Sequence, residues 1–150
     1  DRCSQGLMTD TAGPAVVELL GQHWSGAQIE AVLVPDDEEQ IVAVLKRWCE
    51  QGAALILTAG GTGMSPRDRT PEATLRVLDR LAPGLTEAMR VRGAESNPFS
   101  WLSRGVAGLC GGTLIVNLPG SKRGAEESLD SILLLLHHAM EVADGSQSHP

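Results

Sequence analysis

Residues 53–73 constrain the fold of this chain more than any other stretch. Ala53-Ala54-Leu55-Ile56-Leu57 reads as a buried strand and leads directly into Thr58-Ala-Gly-Gly-Thr-Gly-Met-Ser-Pro-Arg-Asp-Arg-Thr-Pro-Glu-Ala73. The far end of that stretch carries helix-start chemistry, with Thr70 as N-cap and Pro71 at the first helical position. A strand, a glycine-rich loop and a helix in succession form the basic unit of an α/β layer. Between the two elements sit Gly60, Gly61, Thr62, Gly63, Ser65 and the pair Arg67-Asp68. Glycines let backbone N–H groups converge on an anion, and the hydroxyls add donors. Asp68 stands where the counter-ion of a bound phosphate would be held. The spacing is neither the G-x-x-x-x-G-K-[ST] of a phosphate loop nor the G-x-G-x-x-G of a dinucleotide fold. It implies a phosphate-bearing ligand without either common signature.

The rest of the composition agrees with one layered domain. The chain has 150 residues, 42% of them hydrophobic, which is enough for a single substantial core. Aromatics make up only 3%, so that core must be built from Leu, Val, Ile and Ala, as when aliphatic strands pack under helices. A net charge of −7 argues against nonspecific nucleic-acid binding, which needs a basic face. No apolar run approaches the ~18 residues of a membrane span. Cys3, Cys49 and Cys110 are odd in number and lack a C-x-x-C pattern. Reduced thiols in a cytoplasmic protein are the expectation. The chain opens on Asp1 with no charged-then-apolar leader and is expected to start inside a larger sequence, with a further strand before Asp1 completing the sheet. Residues 1–144 are expected to form the domain, and residues 145–150 a polar tail or linker.

Along the chain, Asp10 or Thr11 can cap a first helix through Val16 and Leu20, and residues 29–34 read as a buried strand ending at Pro35. Asp36-Asp37 then caps a second helix, whose Ile41, Val42, Leu45 and Trp48 recur at helical spacing until Gly52. After the glycine loop, a third helix carries Leu75, Leu78 and Leu81, and Pro83-Gly84 starts a fourth. Residues 97–104 read as loop. Two strands, 106–109 and 113–118, flank the turn signal Gly111-Gly112. Pro119-Gly120-Ser121 opens a last helix with Leu129, Ile132, Leu133, Leu136 and Met140 on one face. The expected fold is a three-layer α/β sandwich around a mostly parallel central sheet.

Ligands of such sheets bind beyond the carboxyl ends of the strands. Asp36, the glycine loop and Asn117-Leu-Pro-Gly-Ser121 all fall at such ends, and Asp1 would be a fourth if a strand precedes it. Each also has a structural reading: Asp36 as a helix cap, Asp68 as a partner of Arg67 or Arg69, the glycines as a sharp turn, Asn117 as a turn former. Ser103-Arg104 is uninformative on spacing alone. The four histidines form neither a zinc pattern nor a Ser-His-Asp relay. The convergence of separate clusters, more than any one of them, points to a pocket.

Taken in order, Asp1-Arg-Cys-Ser4, Val34-Pro-Asp36, the Thr58 stretch, Pro83-Gly84, Leu102-Ser-Arg104 and Thr113-Leu-Ile-Val-Asn-Leu-Pro-Gly-Ser-Lys122 resemble the molybdopterin adenylyltransferase family. That family comprises the bacterial MogA/MoaB-type proteins and the G domain of gephyrin. The resemblance implies a homotrimer that transfers AMP from Mg-ATP to the terminal phosphate of molybdopterin, releasing pyrophosphate, with hand-over to a molybdate-insertion domain. Carried over by position, Asp36 and Asp68 match the two active-site acids, either of which would position Mg²⁺. Gly60, Gly61, Thr62 and Gly63 match the phosphate-cradling loop. Ser103 and Asn117 match residues lining the pterin and nucleotide pocket, with Pro119, Gly120 and Asp1 alongside. Arg69 departs from the apolar residue usual there and is read as facing solvent. A non-catalytic, molybdopterin-binding scaffold of gephyrin type is the rival reading. A domain of the CinA type is disfavoured by Leu-Pro-Gly-Ser-Lys122.

Overall fold

A computed structural model describes residues 12–145; Asp1, the cap candidates Asp10 and Thr11, and residues 146–150 lie outside the described residues. The order is α1 (Ala12–His23), α2 (Glu38–Glu50), β1 (Leu55–Ala59), α3 (Thr70–Val77), β2 (Arg80–Leu81), α4 (Pro83–Ala94), a 3₁₀ turn (Pro98–Leu102), β3 (Ala107–Cys110), β4 (Thr113–Leu118) and α5 (Lys122–Ala143).

The sheet runs β1-β4-β3-β2. Within it β1 pairs with β4 in parallel, while β3 pairs antiparallel with both β4 and β2. The α/β layering is as expected, although among the described residues the sheet is mixed. The reason is the Gly111 turn (φ +58°), which reverses β3 into β4 as a hairpin. Its N–H donates to Asp79 Oδ2 at 2.8 Å.

Alternation along β4 divides the core into two layers. Leu114, Val116 and Leu118 face one side, against Leu129, Ile132 and Leu136 of α5, Leu85 and Met89 of α4, and Val16 of α1. Ile115 faces the other, with Ile56 of β1 against Ile41, Val42 and Leu45 of α2 and Ala73 and Val77 of α3. A strand buried on both faces needs the unbroken aliphatic run that β4 has. Each such side chain contributes roughly 1.5–3 kcal/mol when fully buried.

Caps fall largely where the sequence puts them. Asp37 Oδ1 accepts from Gln40 N–H at the start of α2, and Ser121 accepts from Gly124 N–H at the start of α5. Thr70 does not cap α3. It is the first helical residue, preceded by Arg69 without a side-chain cap, and its N–H donates to Gly61 carbonyl at 3.2 Å.

Three further expectations change. Residues 29–34 form no strand, and Ile29, Val32 and Leu33 are 40–53% exposed. A strand exists only by pairing, and among the described residues the second edge of β1 has no partner. Residues 98–102 wind into a 3₁₀ turn, capped by Asn97 Oδ1 on Phe99 N–H, where loop was expected. The third helix stops at Val77, short of the expected Leu78 and Leu81; Leu81 instead pairs opposite Gly108 in the two-residue β2, where it is 64% exposed and no apolar alternation marks the strand.

Candidate active site

Parallel pairing in register, with Ala59 opposite Leu118, makes β1 and β4 release their loops from the same edge of the sheet. The Gly60 N–H donates to Leu118 carbonyl at 3.0 Å, continuing the ladder one residue into the loop. Here the two backbones touch: a Cβ on Gly120 would lie 3.1 Å from Gly60 Cα. Gly60 and Gly61 have φ of +101° and +69°, a region that favours glycine. Any side chain on Gly61 would also strike the Thr70 hydroxyl.

Beyond Gly61 the chain folds into a compact turn around Asp68. Asp68 Oδ2 accepts from Ser65 N–H at 3.3 Å, while Asp68 N–H donates to Ser65 carbonyl at 2.9 Å. The carboxylate leans over Gly63, where an added Cβ would stand 2.8 Å from Oδ2. Arg69 is half exposed, but it is engaged: it donates to Glu38 Oε2 at 3.1 Å. With Arg76 donating to Glu39 at 2.6 Å, this ties the start of α2 to α3. The half-buried Asp36, two residues before Glu38, thereby belongs to the same end of the molecule as Asp68.

A cleft of about 240 Å³ opens beside these loops, and Thr62, Gly63, Ser103 and Pro119 line it together with Arg90 and Ser121. Four residues singled out from sequence thus share one cavity. Gly60, Gly61 and Gly120 form its supporting backbone, and Asp36 and Asp68 stand outside its wall.

Asn117 is different. It is 1% exposed, and its carboxamide is committed to protein: Oδ1 accepts from Val106 N–H, and Nδ2 donates to the hydroxyls of Thr58 and Thr74. In this structure the side chain pins β1, α3 and the 105–106 segment together beneath the cleft.

Three residues to which sequence reasoning gave no role, Arg104, Glu72 and Arg90, are prominent. Arg104 donates from its backbone N–H to Thr62 carbonyl at 2.8 Å, from Nε to Gly63 carbonyl at 2.8 Å, and from Nη2 to Asp68 carbonyl at 2.8 Å. Its Nη1 donates to Glu72 Oε2 at 2.6 Å. That hydrogen bond holds the Glu72 carboxyl below its ordinary value, against the opposing effect of burial, and raises the guanidinium in turn. Arg90 donates to the Ser103 and Gly105 carbonyls at 3.1 and 3.2 Å, bracing the wall that carries Ser103. None of these contacts leaves a spacing signal, because every partner is a backbone carbonyl or lies 13 or more residues away.

Comparison with known proteins places these features in a family. Residues 1–138 match the family described as "Probable molybdopterin binding domain". The chain is 38% identical over 143 residues to the molybdenum cofactor synthesis protein cinnamon of Drosophila melanogaster, covering 95% of this chain and 24% of that protein. It thus spans about a quarter of that relative's length. Against a molybdopterin adenylyltransferase of Helicobacter pylori it is 32% identical over 148 residues, covering 97% of this chain and 84% of the relative. Among solved structures, the molybdopterin biosynthesis enzyme MoaB of Thermus thermophilus superposes with a TM-score of 0.86 at 48% identity, covering 97% of this chain and 91% of that one. With touching glycine loops at one sheet edge and a family match across nearly its whole length, this chain belongs to the molybdopterin-binding domain family of molybdenum cofactor biosynthesis.

Proposed function

We propose that this domain adenylylates molybdopterin, transferring AMP from Mg-ATP to the terminal phosphate of the pterin. The observation that carries the reading is the close approach of Gly60 to Gly120, which brings the glycine loop and the Pro119–Ser121 segment together beside a cleft lined by Thr62 and Ser103. The reaction forms one P–O–P bond and breaks another. A phosphate oxygen of molybdopterin attacks the α-phosphorus of ATP, and pyrophosphate leaves. The attacking oxygen is already ionised at neutral pH, so no serine or histidine base is needed.

What the protein must supply is alignment of two polyanions and stabilisation of charge developing on the α-phosphate and the leaving group. Backbone N–H groups of the glycine loop, helped by Thr62, serve that end. The cleft, about 240 Å³, lies just below the ~300–1,000 Å³ of ordinary small-molecule sites.

Two like charges ~4 Å apart repel by roughly 4 kcal/mol at an effective dielectric of 20, so Asp36 and Asp68 alone would oppose ATP. The donor set fits a magnesium ion. Among the described residues no cluster of three ligating side chains occurs, but Mg²⁺ commonly takes one or two carboxylates, with water and phosphate oxygens completing its shell. Asp68 is a half-buried carboxylate with one oxygen used by Ser65. In this reading Asp68 or Asp36 holds the ion, which when bound offsets phosphate charge, and the other acid orients substrate phosphate. Asn117 acts from beneath, fixing the segment on which Ser103 stands.

The family resemblance extends the reading to a homotrimer with hand-over of product to a molybdate-insertion domain. The free thiols of Cys49 and Cys110 accord with a cytoplasmic setting. Among the described residues no helix is long and apolar enough to cross a membrane.

Incubation with molybdopterin, ATP and Mg²⁺ should yield adenylylated pterin and equimolar pyrophosphate. Asp68→Ala should lower turnover by about 10²–10³, the usual loss for one well-placed electrostatic contact. Asp68→Asn, which keeps an acceptor for Ser65 N–H, separates charge from loop folding. Tight molybdopterin binding without pyrophosphate release would favour the scaffold reading.

A further inference from the structure

We propose that Arg104 is a positioning residue for the reaction, acting through Asp68. The inference rests on the adenylylation reading above and names a residue to which that reading gives no part. Arg104 closes both ends of the loop that carries the acid. At the near end its backbone N–H and Nε hold the Thr62 and Gly63 carbonyls; at the far end Nη2 holds the Asp68 carbonyl, each at 2.8 Å. The Glu72 carboxylate, in the first turn of α3, fixes the guanidinium at 2.6 Å.

The geometry uses what a guanidinium has and an ammonium lacks: donors spread along a planar fork, able to reach several acceptors at once. Since those donors are engaged by protein, Arg104 has no need to touch substrate to matter. It also sits next to Ser103, so one residue joins the cleft wall to the acid loop. Between Gly63 and Asp68 the loop has little else to hold it. Met64, Ser65, Pro66 and Arg67 are exposed, and its internal ties are the Ser65–Asp68 pair and the Arg67 N–H on the Ser65 hydroxyl. Without the clamp, the Asp68 carboxylate would keep its chemistry and lose its place. A displacement of about 1 Å can cost roughly 10²-fold in rate.

The test is a double-mutant cycle on turnover in Asp68→Ala, Arg104→Lys and the double variant, with KM for ATP and molybdopterin measured alongside. Lysine keeps the charge beside Glu72 and the backbone N–H on Thr62, but its single ammonium cannot span the Gly63 and Asp68 carbonyls together with Glu72. Arg104→Lys should lower kcat by roughly 10–100-fold with KM nearly unchanged, and should cost less than about threefold once Asp68 is already alanine, since coupled residues are not additive. Equal losses in both backgrounds, or a lysine variant with normal kcat, would overturn the proposal.

Hydrogen exchange of the ligand-free protein supplies the second arm. The Ser65 amide should exchange at least tenfold faster in Arg104→Lys while β4 amides are unchanged; unchanged Ser65 exchange would refute the clamp. If the wild-type protein forms no adenylylated pterin, the functional reading fails, and the exchange arm still decides whether Arg104 orders the loop.

Discussion

Replacing Asn117 by aspartate should produce a stability loss that grows with pH. The two side chains have nearly the same shape, so the change isolates hydrogen-bond polarity in a site that is 1% exposed. Oδ1 would continue to accept from Val106 N–H at 3.0 Å. The second oxygen would replace a donor that now serves Thr58 Oγ1 at 2.9 Å and Thr74 Oγ1 at 3.0 Å. The Thr74 hydroxyl already donates to Thr70 carbonyl at 2.8 Å, so it can turn to the new oxygen only by giving up that bond.

A protonated aspartic acid can donate to one threonine and loses about one hydrogen bond, costing roughly 1–2 kcal/mol. The ionised form is worse, because burial disfavours charge and raises the folded-state pKa above the unfolded ~3.9. A group shifted in that direction is least destabilising below the unfolded pKa, and its penalty grows as pH rises toward the folded one. If the acid stays protonated to pH 7, the added penalty is about 3 pH units at ~1.4 kcal/mol each, or ~4 kcal/mol. Urea unfolding of Asn117→Asp against wild type should therefore show a deficit of about 1–2 kcal/mol near pH 4 that widens to roughly 5–6 kcal/mol at pH 7. Asn117→Ala should show a deficit that does not change with pH. A pH-independent loss for the aspartate, or one under about 0.5 kcal/mol at pH 7, would refute the view that this carboxamide is a buried structural tie.

Other consequences are simpler to state. Gly63→Ala places a methyl 2.8 Å from Asp68 Oδ2, so turnover should fall at least tenfold while the melting temperature moves by about 2 °C or less, the displaced atom being the end of a side chain. The Glu72 carboxyl, lowered chiefly by its hydrogen bond from Arg104, contributes stability that is present above the ordinary value of 4.5 and lost as pH falls below it. Glu72→Gln should flatten the decline in thermal stability between pH 5 and pH 3; an unchanged slope would count against the pair. Burial, and next the neighbouring Cys110 thiol, push the Cys49 thiol up to about 12. Iodoacetamide at pH 7.5 should therefore leave Cys49 unmodified in the folded protein, as peptide mass mapping would show.

The parts of the fold that were legible in the sequence are those whose signal is local. Helices α2 and α5 declare themselves by period and cap, and β4 by an aliphatic run ending in Asn-Leu-Pro-Gly. Strand identity at residues 29–34 misled because an apolar run records burial preference and not the presence of a pairing partner. Gly60 and Gly63 were readable as a close approach, yet the surfaces approached, Gly120 and the Asp68 carboxylate, come from the tertiary arrangement. Asn117 shows the converse. Its position at a strand end marked it as important, but only the Thr58–Thr74–Val106 network shows that its side chain faces inward. Arg104 lay in a segment that carries the family resemblance, yet its role had no legible signal, since an arginine that binds carbonyls across 36 and 41 residues looks in sequence like any loop arginine.

The direction of one strand decides whether the site exists at all. β1 has five residues, and at ~3.3 Å per residue its first and last Cα atoms are about 13 Å apart. Had β4 run antiparallel to β1, Gly120 would have left the sheet at the far end, and no phosphate could have reached both loops. The parallel sense depends on the chain travelling from β1 through α3, β2 and α4 to β3, then reversing at Gly111 so that β4 returns alongside β1. Gly111 and its hydrogen bond to Asp79 lie at the opposite edge from the glycine loop, and they set the direction in which Asn117 and Gly120 arrive. A substitution that flips or lengthens that hairpin turn would move the register of β4 against β1, and a shift of one residue would exchange its two buried faces, so that Leu114, Val116 and Leu118 would meet the α2–α3 layer and Ile115 and Asn117 the α4–α5 layer. Binding chemistry at one end of the sheet is therefore conditioned by turn chemistry at the other.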